Sequence, residues 1–116
     1  MTAISIADLS SAANLVATLG VVEMLGEHAA RGLNLLRRAL AGHRELDDEA
    51  ACASDLMNLA ELFRRTGRWD RVVRLERLAG AIYENIGARQ SAAAARGSAM
   101  TCQRIAELAG FNADLN

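Results

Sequence analysis

The chain has no lysine and no proline, and aromatic residues make up only 3% of its 116 positions. Without proline there are few obligatory helix breaks, which suits long helices joined by short turns. Few stretches alternate β-branched or aromatic residues with polar ones, so strands are not expected. Cysteine is scarce. Cys52 and Cys102 lie in separate helical patterns and supply neither a disulfide framework nor a zinc-ligand set. They are expected as buried free thiols in a reducing cytoplasm. Excess charge is also missing. A net charge of −1 gives no global field toward nucleic acid or an anionic membrane, and neither is an expected partner. Met1 to Asp8 contain no basic n-region, so a signal peptide is not expected. The longest apolar run, Leu15 to Leu25, includes Glu23 and is short for crossing ~30 Å of hydrocarbon. A cytoplasmic bacterial protein is the expectation. All 13 basic residues are arginine, which fits a GC-rich genome or, alternatively, selection for bidentate contacts with carboxylates or phosphates.

What the chain does have is apolar content, 52% of it, much of that alanine. One domain over 1–116 can bury a core, and the core must come from close helix packing. Five segments show helical periodicity. The first, about Ile6 to Leu25, carries Leu9, Ala13, Val16, Leu19 and Val22, with Asp8 or Ser10 as its cap and Gly26 as its left-handed terminator. The second, Glu27 to Leu46, has Ala29, Gly32, Leu33, Leu36, Ala39 and Leu40 as its buried stripe. The acidic cluster Asp47, Asp48 and Glu49 reads as the cap and first turn of a third, Asp48 to Thr66. Thr66-Gly67-Arg68 is a turn. A fourth runs from Trp69 to Ile86 with Trp69, Val72, Val73, Leu75, Leu78, Ala79, Ile82 and Tyr83 inward, and a fifth from Ala88 to Ala109, closed by Gly110.

A shift of 40 residues pairs Leu19 with Leu59, Arg31 with Arg71, Leu35 with Leu75, Arg37 with Arg77 and Ala39 with Ala79, a period typical of stacked helical hairpins. The stretch Leu56 to Gly87, LMNLAELFRRTGRWDRVVRLERLAGAIYENIG, resembles a tetratricopeptide repeat of the longer kind. Leu59-Ala60 sits at the family's Leu-Gly/Ala pair and Phe63 at its first-helix aromatic. Gly67, Trp69 and Asp70 match its turn, and Ala79, Tyr83 and Gly87 its ending. Val72 departs from the usual alanine, and the first unit lacks the aromatic at Glu23. The resemblance implies a right-handed stack of antiparallel hairpins: 6–46, then 48–87, then a capping helix 88–110 and a loose tail 111–116. A closed helical bundle is the alternative. The resemblance also implies a groove lined by Asn58, Glu61, Arg64 and Arg65.

Residues 64–77 contain six arginines, Arg64, Arg65, Arg68, Arg71, Arg74 and Arg77, which read as a solvated face or as a patch for an acidic partner. Arg71 joins the groove residues as a candidate partner contact. The first segment is apolar around much of its circumference, so Leu15, Leu19 and Val22 are expected to pack against a second copy in a symmetric dimer. Nothing points to chemistry. His28 and His43 lie too far apart on one helix to share a metal and are expected at the surface. No Gly-x-Ser-x-Gly elbow and no phosphate loop occur. The expectation is a non-enzymatic protein-interaction or scaffold module with no cofactor and no metal. An obligate subunit of a larger assembly is the alternative, and a small-molecule-binding or catalytic bundle a second one.

Overall fold

A computed structural model describes the backbone of residues 5–115 and the side chains of residues 5–110. Five α-helices follow in order: α1 (Ile6–Leu25), α2 (Ala29–Glu45), α3 (Glu49–Arg65), α4 (Trp69–Asn85) and α5 (Arg89–Leu115). No strand occurs among the described residues, so the protein is all-α, as the sequence pattern implies.

One turn is used four times, at 26–28, 46–48, 66–68 and 86–88, with constant spacing along the chain. In each, the third turn residue donates its N–H to a carbonyl five positions back: His28 to Glu23 (2.8 Å), Asp48 to His43 (3.0 Å), Arg68 to Phe63 (2.9 Å) and Ala88 to Tyr83 (2.8 Å). The residue before it donates three positions back, as in Asp47 to Arg44 at 3.1 Å. This pair of bonds is a Schellman closure, and it requires a left-handed residue at the middle of the turn. Gly67 (φ 73°) and Gly87 (φ 81°) take that conformation freely, whereas Glu27 (φ 65°) and Asp47 (φ 53°) are forced into it. Gly26, expected as the left-handed terminator of α1, has φ −81° and precedes the strained position.

The starts of the helices are capped locally. Ser5 accepts from the Asp8 N–H and the Asp8 carboxylate accepts from the Ser5 N–H, a reciprocal box one turn earlier than the expected cap at Asp8 or Ser10. Asp48 caps α3 by accepting from the Ala51 N–H at 3.1 Å. α5 extends to Leu115, where the sequence suggested closure at Gly110 and a loose tail; the side chains of 111–116 lie outside the described residues.

Each helix packs chiefly on its neighbours in the chain, and α1 touches α3 lightly, in a body of 64 × 33 × 17 Å. Leu36, Leu56, Leu59, Leu62, Phe63 and Val72 fill the interior. Between them Ala39, Ala53, Ala60, Ala79 and Ala95 have no exposed surface, so the helices approach over small side chains. α1 and α2 meet over two glycines. A Cβ on Gly32 would lie 3.1 Å from the Gly20 carbonyl oxygen, and one on Gly20 would lie 2.9 Å from Leu36 Cγ.

Two expected core stripes differ from what is observed. α1 buries Ala13, Gly20 and Met24, while Leu9, Leu19 and Val22 face solvent. Apolar residues surround this helix, so periodicity alone does not select the face that glycine lets dock. On α4, Leu78 is exposed and Glu76 is buried in its place.

Candidate functional site

Among the described residues, two buried polar clusters and one uncovered apolar face are candidates for chemistry or recognition. The first cluster joins α1, α2 and α3. His43 is 1% exposed; its Nδ1 lies 2.5 Å from Asp55 Oδ2, and its Nε2 lies 2.9 Å from Asn14 Oδ1. The expectation of a surface His43 is therefore wrong. It falls on the inner side of α2 because two polar partners, from α1 and α3, meet it there and satisfy both ring nitrogens. Burial lifts the Asp55 carboxyl above its usual range, against the lowering effect of the His43 hydrogen bond and charge. Cys52, one turn before Asp55, is also buried; desolvation and the Asp55 charge push its thiol upward, the wrong direction for a thiolate nucleophile. The cluster holds a His–Asp pair without an activated nucleophile beside it. Its evident effect is to fasten α1 to the rest of the fold.

The second cluster joins α3, α4 and α5 around Glu76, which has no exposed surface. Arg64 Nη2 donates to Glu76 Oε1 at 2.8 Å and to Ser98 Oγ at 3.0 Å, and Nη1 donates to Glu61. The Cys102 thiol donates to Glu76 Oε1 at 3.5 Å. Glu76 Oε2 has no hydrogen-bond partner among the described residues. Desolvation opposes charge on Arg64, but its bonds to Cys102 and Glu61 and the Glu76 charge outweigh it and hold the guanidinium protonated.

These contacts change the meaning of the predicted groove. Arg64 is half-buried and held by the buried Glu76. Glu61 is shared between Arg64 and Arg65, the latter at 3.3 Å. Asn58 is half-buried. The structure thus gathers Glu61, Arg64 and Arg65 into one ion network that runs from exposed Arg65 to buried Glu76. Arg71, on the neighbouring helix, is exposed, with its guanidinium carbon 5.2 Å from the centre of the Phe63 ring. The predicted oligomer residues occupy one face. Leu15 (59% exposed), Leu19 (46%) and Val22 (58%) lie opposite the Ala13, Gly20 and Met24 seam.

Asn14, Asp55, Glu76 and Ser98 are polar groups of these clusters that the sequence pattern did not single out, whereas Cys52 and Cys102 are buried free thiols, as expected. One signal was present: under the 40-residue shift Glu76 falls on Leu36, a lone acid where the repeat has a buried leucine. Among the described residues, no group of three or more histidine, cysteine or acidic side chains is placed to hold a metal ion. No family model matches the chain, and no curated protein or solved structure is significantly similar to it.

Proposed function

We propose that the protein is a non-catalytic interaction module, with antiparallel helical hairpins stacked in the manner of tetratricopeptide repeats, that self-associates through α1. The carrying observation is the uncovered face of Leu15, Leu19 and Val22, continued by Leu25 at 57% exposure. None of these residues is charged, so a second copy meets the face without like-charge repulsion. The opposite side of α1 is already committed to α2 by the glycine contact and the Asn14–His43 bond. A symmetric pair of α1 helices buries both apolar faces at once. Sedimentation velocity at micromolar concentration tests this. The native chain is expected to run as a dimer, and Leu15→Glu/Leu19→Glu as a monomer with unchanged far-UV circular dichroism. A native monomer across that range contradicts the reading.

A second reading has its own observation: α1 is long and apolar enough, by length and composition, to cross a membrane. It is the weaker one, because insertion requires breaking α1 away from α2, which pairs Arg31 with Glu23 of α1 at 4.0 Å and also carries the exposed Arg37, Arg38 and Arg44. Flotation with neutral phosphatidylcholine vesicles distinguishes the two. The dimer reading expects the protein to stay at the bottom of the gradient.

A further inference from the structure

The turns 26–28 and 66–68 lie at the same end of the fold, and two clefts of about 340 and 320 Å³ open side by side between them, sharing Ala29, Leu62 and Thr66. The floor is apolar: Leu33 with Leu62 (3% exposed) and Phe63 (7% exposed). The rim is cationic. Arg65 edges one cleft, and Arg68 and Arg71 edge the other. Beyond Arg68 and Arg71 a further hollow of about 410 Å³, of mixed polar and apolar lining, opens against Ala106 and Ala109 of α5, so these two arginines stand on a ridge between two depressions. Among the described residues neither makes an ion pair, and the Arg68 side chain makes no capping bond to α4. Glu27 and Asp70 are the acids that line these spaces.

We infer that this end of the fold docks an acidic peptide segment, its carboxylates on Arg68 and Arg71 and an aliphatic side chain on the Leu62–Phe63 floor. The inference rests on reading the chain as an interaction module and names the chemistry of one partner. Guanidinium forks match carboxylates in bidentate geometry, and a neighbouring apolar hollow turns a charge contact into recognition of a side chain. Arg71 is the better anchored of the two, because it already lies over Phe63. The same contact argues against nucleic acid. Phe63 is buried under an arginine and offers no open face for base stacking, and Trp69, which lines the further hollow, is itself half-buried.

Fluorescence polarisation with a fluorescein-labelled peptide alternating glutamate and leucine tests the site. Saturable binding is expected, weakened at least ~10-fold by Arg68→Glu and less by Arg71→Lys, which keeps the charge and loses the fork. Arg37→Glu, exposed on α2, should leave binding unchanged. A peptide with lysine for glutamate should not bind, and one with serine for leucine should bind at least ~10-fold more weakly. Equal binding of the serine peptide, indifference to Arg68→Glu, or tighter competition by a single-stranded RNA of equal length overturns the inference. Repeating the titration on Leu15→Glu/Leu19→Glu separates the two claims. Peptide binding by that variant is expected whether or not the native chain dimerises, and its loss there with Arg68→Glu still binding also overturns the docking site.

Discussion

Arg64 Nη2 lies 2.8 Å from Oε1 of Glu76, whose side chain has no contact with solvent. The two partners are not equivalent. Arg64 is about a third exposed (31%) and also bonds Glu61, whereas among the described residues Glu76 has Arg64 as its one charged partner and carries an unpartnered oxygen. Arg64→Ala should therefore destabilise the fold by about 2–3 kcal/mol, below the full cost of breaking a buried pair because water reaches the arginine. Glu76→Leu restores the residue type found at Leu36 and should be neutral or stabilising by about 1 kcal/mol. Urea unfolding of both variants reads the difference in sign. Arg64→Ala is consequently no clean probe of partner binding, and Arg68→Glu takes its place.

How much of this was legible in the sequence follows from the kind of signal each feature leaves. Leu56, Leu59, Ala60, Leu62 and Phe63 repeat at helical spacing and are all buried on α3, as periodicity implies. The turns at Gly67 and Gly87 announce themselves by glycine. The turns at Glu27 and Asp47 do not, because there the chain tolerates strain in place of using the residue the conformation prefers. The Asn14–His43–Asp55 cluster joins three helices, and no local pattern in one helix reveals a partner on another. Arg64 looked like a free surface charge because the acid that claims it is twelve residues away, on the next helix.

The two strained turns give a prediction with a definite sign. A left-handed non-glycine residue costs about 1–2 kcal/mol. Glu27→Gly and Asp47→Gly, which remove that cost but add backbone entropy to the unfolded chain, should each raise stability by up to about 1 kcal/mol. Gly67→Ala and Gly87→Ala should each lower it by about 1 kcal/mol. Thermal unfolding followed by circular dichroism ranks the four.

Glycine has the opposite meaning where helices touch. A methyl group on Gly32 meets backbone of α1 at 3.1 Å, which cannot yield as a flexible side chain would. The gain of about 1 kcal/mol in helix propensity is then outweighed by overpacking of about 1–3 kcal/mol. Gly97, with nothing within 4 Å of an added Cβ, has only the gain. Gly32→Ala should destabilise, and Gly97→Ala should stabilise by about 0.5–1 kcal/mol. Chemical unfolding midpoints of the pair check this.

Asp55 predicts a pH dependence. Its carboxyl is lifted in the folded state chiefly by burial, so the folded chain holds this proton more tightly than the unfolded chain. Its contribution to stability is present below the ordinary aspartate value of about 3.9 and is lost as pH rises through the lifted value. The stability of the native chain relative to Asp55→Asn should therefore fall as pH is raised from about 4. Paired unfolding curves across that range measure the difference; a rise in place of a fall contradicts the assignment.

Disulfide trapping at the middle of the uncovered face is the most direct test of self-association through α1. Leu19 is the middle residue of the uncovered Leu15, Leu19 and Val22 face, while the native Cys52 and Cys102 are buried. Mild oxidation of Leu19→Cys should give a covalent dimer rapidly and nearly quantitatively, and Arg37→Cys, on an exposed position of α2, should not. Equal, slow cross-linking at both positions would mean that α1 meets no second copy.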